Sequence, residues 1–207
     1  MKRGEEKIIK IVGLGDSTTA GTPGFLSPIE SPPNGAGDKE SQYSYWLIQG
    51  HGDWNVLNRG VNGERSDQIL GRFARDVLKE EPAIVVILAG VNDIYQGCPA
   101  DFTIPNLSKM YSMGLRAGIV PVSCSILPYN TMGNRERLLR RDLNGWIESE
   151  SRRLRIPFSD TAVAVSAPDN SDKLAGSPDG IHPDVAGYRN MAATIGRTIV
   201  EHLSGLR

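Results

Sequence analysis

The stretch IIKIVGLGDS, residues 8–17, decides the architecture. Ile8–Leu14 is an apolar run rich in β-branched residues and far too short to cross a membrane. Continuous rather than alternating apolarity marks a strand buried on both faces. The run ends at Gly15-Asp16-Ser17, so a hydroxyl follows directly on the strand end. Similar runs recur at Trp54–Leu57, Ala83–Leu88, Ile119–Ser125 and, more weakly, Ile156–Phe158. Between and after them, helical character is predicted over Ser41–Gln49, Ser66–Lys79, Pro105–Ala117, Arg135–Leu154 and Pro183–Leu203. Strand–helix alternation of this kind predicts an α/β protein with a parallel sheet covered on both faces.

The 207 residues suit one domain, and a net charge of -1 gives no electrostatic reason to expect nucleic acid as a partner. Seven arginines crowd Arg135–Arg155, but acidic residues interleave with them, so a solvated helix face is expected. Met1–Lys10 mixes basic residues with Glu5 and Glu6, and no small-residue cleavage site follows. A secretory leader is therefore not expected, and a cytoplasmic location is. Cys98 and Cys124 have no Cys-x-x-Cys spacing and are read as free thiols. His51, His182 and His202 are too scattered to suggest a metal site. Nothing in the sequence sets the oligomeric state.

Residues 21–38 stand apart, with four prolines and four glycines. They read as a long loop inserted beside Ser17, and long loops in compact domains are often functional. Phe25, Leu26 and Ile29 are its candidate substrate contacts. Leu127 and Tyr129, beyond the fourth strand, are expected on the same rim.

Ligands of doubly wound sheets bind outside the carboxyl ends of the strands. Four segments of this chain bring chemistry there: Ser17, Asn58-Arg59-Gly60, Gly90-Val91-Asn92-Asp93 and Asp179-Gly180-Ile181-His182. Acyl transfer needs those parts. A serine hydroxyl attacks only if a base takes its proton, and a neutral imidazole is suited to that task. A carboxylate three residues before the imidazole could fix its tautomer and offset its transient charge. Backbone N–H groups and a side-chain amide, such as those of Gly60 and Asn92, could stabilise the oxyanion. Pro183 suits the first position of the last helix, which would set His182 at that helix's N-terminus.

Taken together and in this order, Gly15-Asp16-Ser17, Gly60, Gly90-x-Asn92-Asp93 and Asp179-x-x-His182 resemble the blocks of the SGNH/GDSL hydrolases. The resemblance spans nearly the whole chain. It implies a flavodoxin-like three-layer α/β/α fold with a central five-stranded parallel sheet, one SGNH domain over residues 1–207, and catalysis without metal or organic cofactor. It also implies Ser17 as nucleophile, His182 as general base, Asp179 as its orienting carboxylate, and an oxyanion hole of Ser17, Gly60 and Asn92. The expected substrate is a small acyl ester with a short acyl group. Acetylated sugars, lysophospholipids and thioesters belong to the same range of chemistry.

Rival motifs fail by position. Thr19 stands where a Gly-x-Ser-x-Gly elbow needs its second glycine, and Thr18 stands where a dinucleotide fingerprint needs its third. Ser17–Thr22 is hydroxyl-rich like the phosphate loop of a flavin mononucleotide-binding flavodoxin. That alternative leaves Asn92, Asp179 and His182 without a task.

Overall fold

The structure, a computed structural model, describes residues 8–205; the charged stretch before Ile8 lies outside the described residues. In chain order the strands are β1 (Ile9–Gly15), β2 (Phe25–Leu26), β3 (Ala36–Gly37), β4 (Trp54–Gly60), β5 (Ile84–Leu88), β6 (Val120–Cys124), β7 (Phe158–Ser159), β8 (Ser166–Ala167) and β9 (Asn170–Leu174). The helices are α1 (Ser17–Ala20), α2 (Tyr43–Gly50), α3 (Ser66–Gly71), α4 (Phe73–Asp76), α5 (Val91–Tyr95), α6 (Ala100–Arg116), α7 (Asn134–Leu154), α8 (Thr161–Val165) and α9 (Val185–Gly205).

Five strands form one parallel sheet in the order β4-β1-β5-β6-β7. Both faces are apolar because successive side chains of a strand point to opposite sides. In β5, Ile84, Val86 and Leu88 pack with Tyr43, Leu47, Tyr188, Met191 and Ile195 of α2 and α9. Val85 and Ile87 pack with Ile69, Phe73, Leu107, Tyr111 and Ile147 of α3, α4, α6 and α7 on the other side. The result is a three-layer α/β/α arrangement. The chain leaves β1 for β4 on one flank and returns to β5 on the other, so the strand order reverses at β1. That switch point is where such sheets open a crevice, and Ser17 stands at its lip.

Several elements depart from the sequence expectation. The helix expected over Ser66–Lys79 breaks into α3, α4 and a 3₁₀ turn at Leu78–Glu80. Gly71 favours the break, and Arg72 fixes it. The buried Arg72 guanidinium donates to the Gly15 carbonyl (2.7 Å), the Arg59 carbonyl (2.7 Å), Asp76 (2.8 Å) and Glu64 (2.6 Å). Helix α6 begins at Ala100, so Pro105 lies inside it instead of opening it. Asp101, whose carbonyl Pro105 cannot satisfy, is exposed to water. In the arginine-rich α7, Arg140 is buried instead of solvated and pairs with Asp172 at 2.8 Å. Among the described residues no helix is long and apolar enough to cross a membrane.

Candidate active site

Ser17 is the first residue of α1, a single helical turn launched directly from β1. Asp16 caps that turn, its carboxylate accepting the Thr18 N–H at 3.0 Å. The other Asp16 oxygen is buried without a partner. Burial pushes the Asp16 carboxyl up to about 7, against the lowering effect of the Thr18 hydrogen bond.

His182 arrives from the far end of the chain on the loop before α9. Its Nε2 lies 2.9 Å from Ser17 Oγ, and its Nδ1 lies 2.7 Å from Asp179 Oδ2. The other oxygen of Asp179 accepts the backbone N–H groups of Ile181 (2.9 Å) and His182 (2.8 Å). Burial alone would raise the Asp179 carboxyl. The His182 side-chain bond and the two backbone bonds outweigh it and hold the group at about 2. Ser177 Oγ donates to the His182 carbonyl at 2.6 Å and so pins the loop backbone. Contrary to expectation, His182 does not stand at the helix N-terminus. Asp184 caps α9 instead, accepting the Gly187 N–H (2.7 Å) on its side chain and the Tyr188 N–H (3.0 Å) on its carbonyl.

A cavity of about 260 Å³ opens beside Ser17 and His182. Asn62, Gly63 and Asn92 are among its lining residues, and Val91, Tyr95, Leu127, Pro128, Tyr129 and Ile181 make the lining predominantly apolar. Tyr129 is fixed by a 2.6 Å hydrogen bond from its hydroxyl to Glu136, and Tyr95 meets it edge to face at 5.7 Å.

The expected oxyanion donors divide. Asn92 lines the cavity, and its amide donates to the Glu64 carbonyl at 3.0 Å; its second N–H leaves a donor to spare. Gly60 does not reach the cavity. Its N–H donates to Asn58 Oδ1 (3.0 Å), and a Cβ on it would meet Ala20 N at 2.1 Å, so this glycine serves the close packing of β4 on α1. Its neighbours are equally committed. The Gly60 carbonyl accepts from Ser27 Oγ (2.6 Å), the Val61 N–H goes to the Gly15 carbonyl (3.1 Å), and the Asn62 N–H goes to Glu30 (2.9 Å). Gly63, at φ +73°, is the turn residue whose N–H has no acceptor among the described residues, and it lines the cavity. The Asn62-Gly63 pair is a turn signal readable in the sequence, but which glycine faces the crevice is not.

Of the five candidate substrate contacts, Leu127 and Tyr129 line the cavity. Phe25, Leu26 and Ile29 do not. Phe25 is buried, lying under the turn at Gly35, and Leu26 points to solvent, because Phe25–Leu26 pairs with Ala36–Gly37 in a small ribbon. Tyr95 was not anticipated, although it lies three residues after Asn92 and hence on the same helical face.

Comparisons with known proteins place the chain in a family. The model of the GDSL-like Lipase/Acylhydrolase family matches residues 14–189, and the chain belongs to that family. It is a carboxylic ester hydrolase. A GDSL-like lipase from Bacteroides thetaiotaomicron VPI-5482 is 25% identical, with 96% of this chain and 90% of that one covered and a TM-score of 0.74. A member of the lipolytic protein G-D-S-L family from Veillonella parvula DSM 2008 shares 16% identity over 93% of this chain and 97% of that one, with a TM-score of 0.75. A catalytic mutant of an acetylxylan esterase from Geobacillus stearothermophilus has 20% identity, 96% coverage of both chains and a TM-score of 0.74. No match was found among curated proteins.

Proposed function

We propose that this hydrolase cleaves esters of short, apolar acyl groups through a covalent acyl-enzyme on Ser17. The observation that carries the proposal is the unbroken hydrogen-bonded line from Asp179 through His182 to Ser17, ending at the cavity. Ser17 Oγ attacks the ester carbonyl carbon while His182 Nε2 takes the hydroxyl proton. Asp179 keeps the other ring proton on Nδ1 and offsets the charge the ring acquires. The tetrahedral oxyanion is stabilised by the Ser17 N–H, free at the first turn of α1, by the Gly63 N–H and by the Asn92 amide. His182 returns its proton to the alkoxide, the alcohol leaves, and water repeats the sequence on the acyl-enzyme.

The cavity supports the acyl preference. At about 260 Å³ it is near the lower bound of ligand pockets, roughly 300–1,000 Å³, and its apolar lining suits hydrocarbon. Leu127 and Tyr129 would contact that chain. Acetylated sugar is a second reading, favoured by the structural likeness to an acetylxylan esterase. A panel of p-nitrophenyl acetate, butyrate and octanoate beside acetylated xylose separates the two. Preference for acetylated xylose over all three chromogenic esters would overturn the apolar acyl assignment. Labelling by a fluorophosphonate, with mass spectrometry of the adduct, tests Ser17 itself, and a label elsewhere would overturn the nucleophile assignment.

A further inference from the structure

The inserted loop 21–38 directs one of its tight turns, Ser27-Pro28-Ile29-Glu30, toward the segment that ends in Gly63. The turn closes on itself through Glu30 N–H to the Ser27 carbonyl (3.0 Å) and Ser31 N–H to the same oxygen (2.8 Å). Glu30 Oε2 accepts the Ser27 N–H at 3.2 Å. Its outward groups then grip Gly60–Asn62 at both ends. Fully buried Ser27 donates its hydroxyl to the Gly60 carbonyl at 2.6 Å, and Glu30 Oε1 accepts the Asn62 N–H at 2.9 Å. Thr22 of the same loop donates its hydroxyl to the Asn62 side chain. Tyr188 in turn donates to the Thr22 carbonyl at 2.6 Å, tying the loop to α9.

From this arrangement we infer that Ser27 and Glu30 are positioning residues, which hold the Gly60–Gly63 turn so that the Gly63 N–H faces the cavity. The inference rests on the proposed role of Gly63 in oxyanion binding. Its physical basis is a count of backbone groups. A turn presents a donor inward only if its other polar groups have partners outward, and here the inserted loop supplies partners to Gly60 and Asn62. A carboxylate acceptor makes the Asn62 bond charge-assisted and therefore stronger than a water contact. Preorganised donors lower the barrier because they are already aimed before charge develops. A brace of this kind acts on the transition state and leaves ground-state binding almost untouched, because the substrate's acyl chain is held elsewhere.

The test compares Glu30→Ala, Glu30→Gln and Ser27→Ala with the parent on p-nitrophenyl butyrate. Glu30→Ala should lower kcat about 10-fold while KM stays within about twofold, the size of effect that slight misplacement of a catalytic group produces. Glu30→Gln should recover part of the loss, since its amide oxygen can still accept from Asn62 while its NH₂ group gives up only the longer, 3.2 Å bond from Ser27 N–H. Backbone amide exchange supplies a readout independent of turnover: the Asn62 N–H should exchange faster in Glu30→Ala and near the parental rate in Glu30→Gln. A kcat for Glu30→Ala within twofold of the parent, an equal change in kcat and KM, or a glutamine variant no better than alanine would each overturn the inference. If Glu30→Ala does not fold, the same criteria apply to Ser27→Ala, and to Glu30→Gln in the exchange experiment. Failure of the catalytic reading itself is distinguishable, because it appears in the parent as absent fluorophosphonate labelling of Ser17.

Discussion

Ser17 and His182 are separated by 165 positions in the chain and by 2.9 Å between Oγ and Nε2. Each group depends on the other. Replacing Ser17 by Ala, or His182 by Ala, should lower kcat about 10³-fold or more, and the double variant should be little worse than either alone. Steady-state kinetics on p-nitrophenyl butyrate measures this, and near-parental turnover in Ser17→Ala would remove the nucleophile from the scheme.

In the proposed mechanism Asp179 acts through geometry as well as charge. In Asp179→Asn the amide NH₂ must face either the two backbone N–H groups or His182 Nδ1. Turning its oxygen to the backbone places NH₂ against Nδ1 and favours the ring tautomer that cannot accept the Ser17 proton. Turnover should drop by about 10³–10⁴-fold with little change in thermal stability. Retention of a tenth of the parental kcat would contradict the orienting role.

The two glycines of the Gly60–Gly63 segment, proposed to carry an oxyanion donor, should respond in opposite ways. Gly60→Ala drives a Cβ into the backbone of Ala20 and should impair folding, seen as a lower melting temperature. Gly63→Ala has open space for its Cβ but a left-handed backbone, so about 1 kcal/mol of strain is expected, released by rotating the N–H away from the cavity. Its kcat should fall more than its stability. Asn92→Ala should cost on the order of 10²–10³ in kcat, as oxyanion donors do. A Gly63→Ala enzyme with unchanged kcat would return the assignment to another donor.

Tyr95 lines the cavity and packs edge to face on Tyr129. Truncation to Ala enlarges the cavity there and should raise kcat/KM for octanoyl relative to acetyl esters by about 3–10-fold, since each buried methylene is worth about 0.8 kcal/mol. The check is the ranking of acetyl, butyryl and octanoyl esters. An unaltered ranking would show that the acyl chain leaves the site by another path.

Asp16 should make stability fall as pH rises. Its carboxyl, at about 7 in the native state against an ordinary value of 3.8, favours the protonated form on folding. That contribution is complete below about pH 4 and is lost as pH climbs through 7. Between about pH 5 and pH 8 the loss is on the order of 3 kcal/mol. Urea unfolding of the parent and Asp16→Asn at both pH values isolates it. Two superimposable pH dependences would mean that Asp16 does not titrate in this window.

Much of the scaffold is legible in the sequence. The apolar runs gave all five sheet strands to within a few residues; β1 and β5, buried on both faces, leave a near-continuous β-branched signature, whereas the edge strand β4 alternates buried with more exposed residues. Short elements were not legible. Helices α5 and α8 and the β2–β3 and β8–β9 ribbons are too brief to show periodicity. The broken helix at Arg72 was hidden for another reason: its cause is a guanidinium bonding to two strand ends that are remote in sequence. Leu127 and Tyr129 fell on the cavity because they follow a strand end. Phe25, Leu26 and Ile29 did not, because a pairing between Phe25–Leu26 and Ala36–Gly37 turned the loop aside.

Local sequence determined which groups the rim could carry: a hydroxyl after the first strand, an amide after the third, and a carboxylate and imidazole three residues apart. Spacing within one turn or one strand end is a short-range property, and the chain's own stereochemistry enforces it. Which glycine offers its N–H was decided only by the tertiary structure. Gly60 and Gly63 are equally plausible in one dimension, and they differ because Asn58, Gly15 and Glu30 take the N–H groups of Gly60, Val61 and Asn62, while among the described residues the N–H of Gly63 has no acceptor.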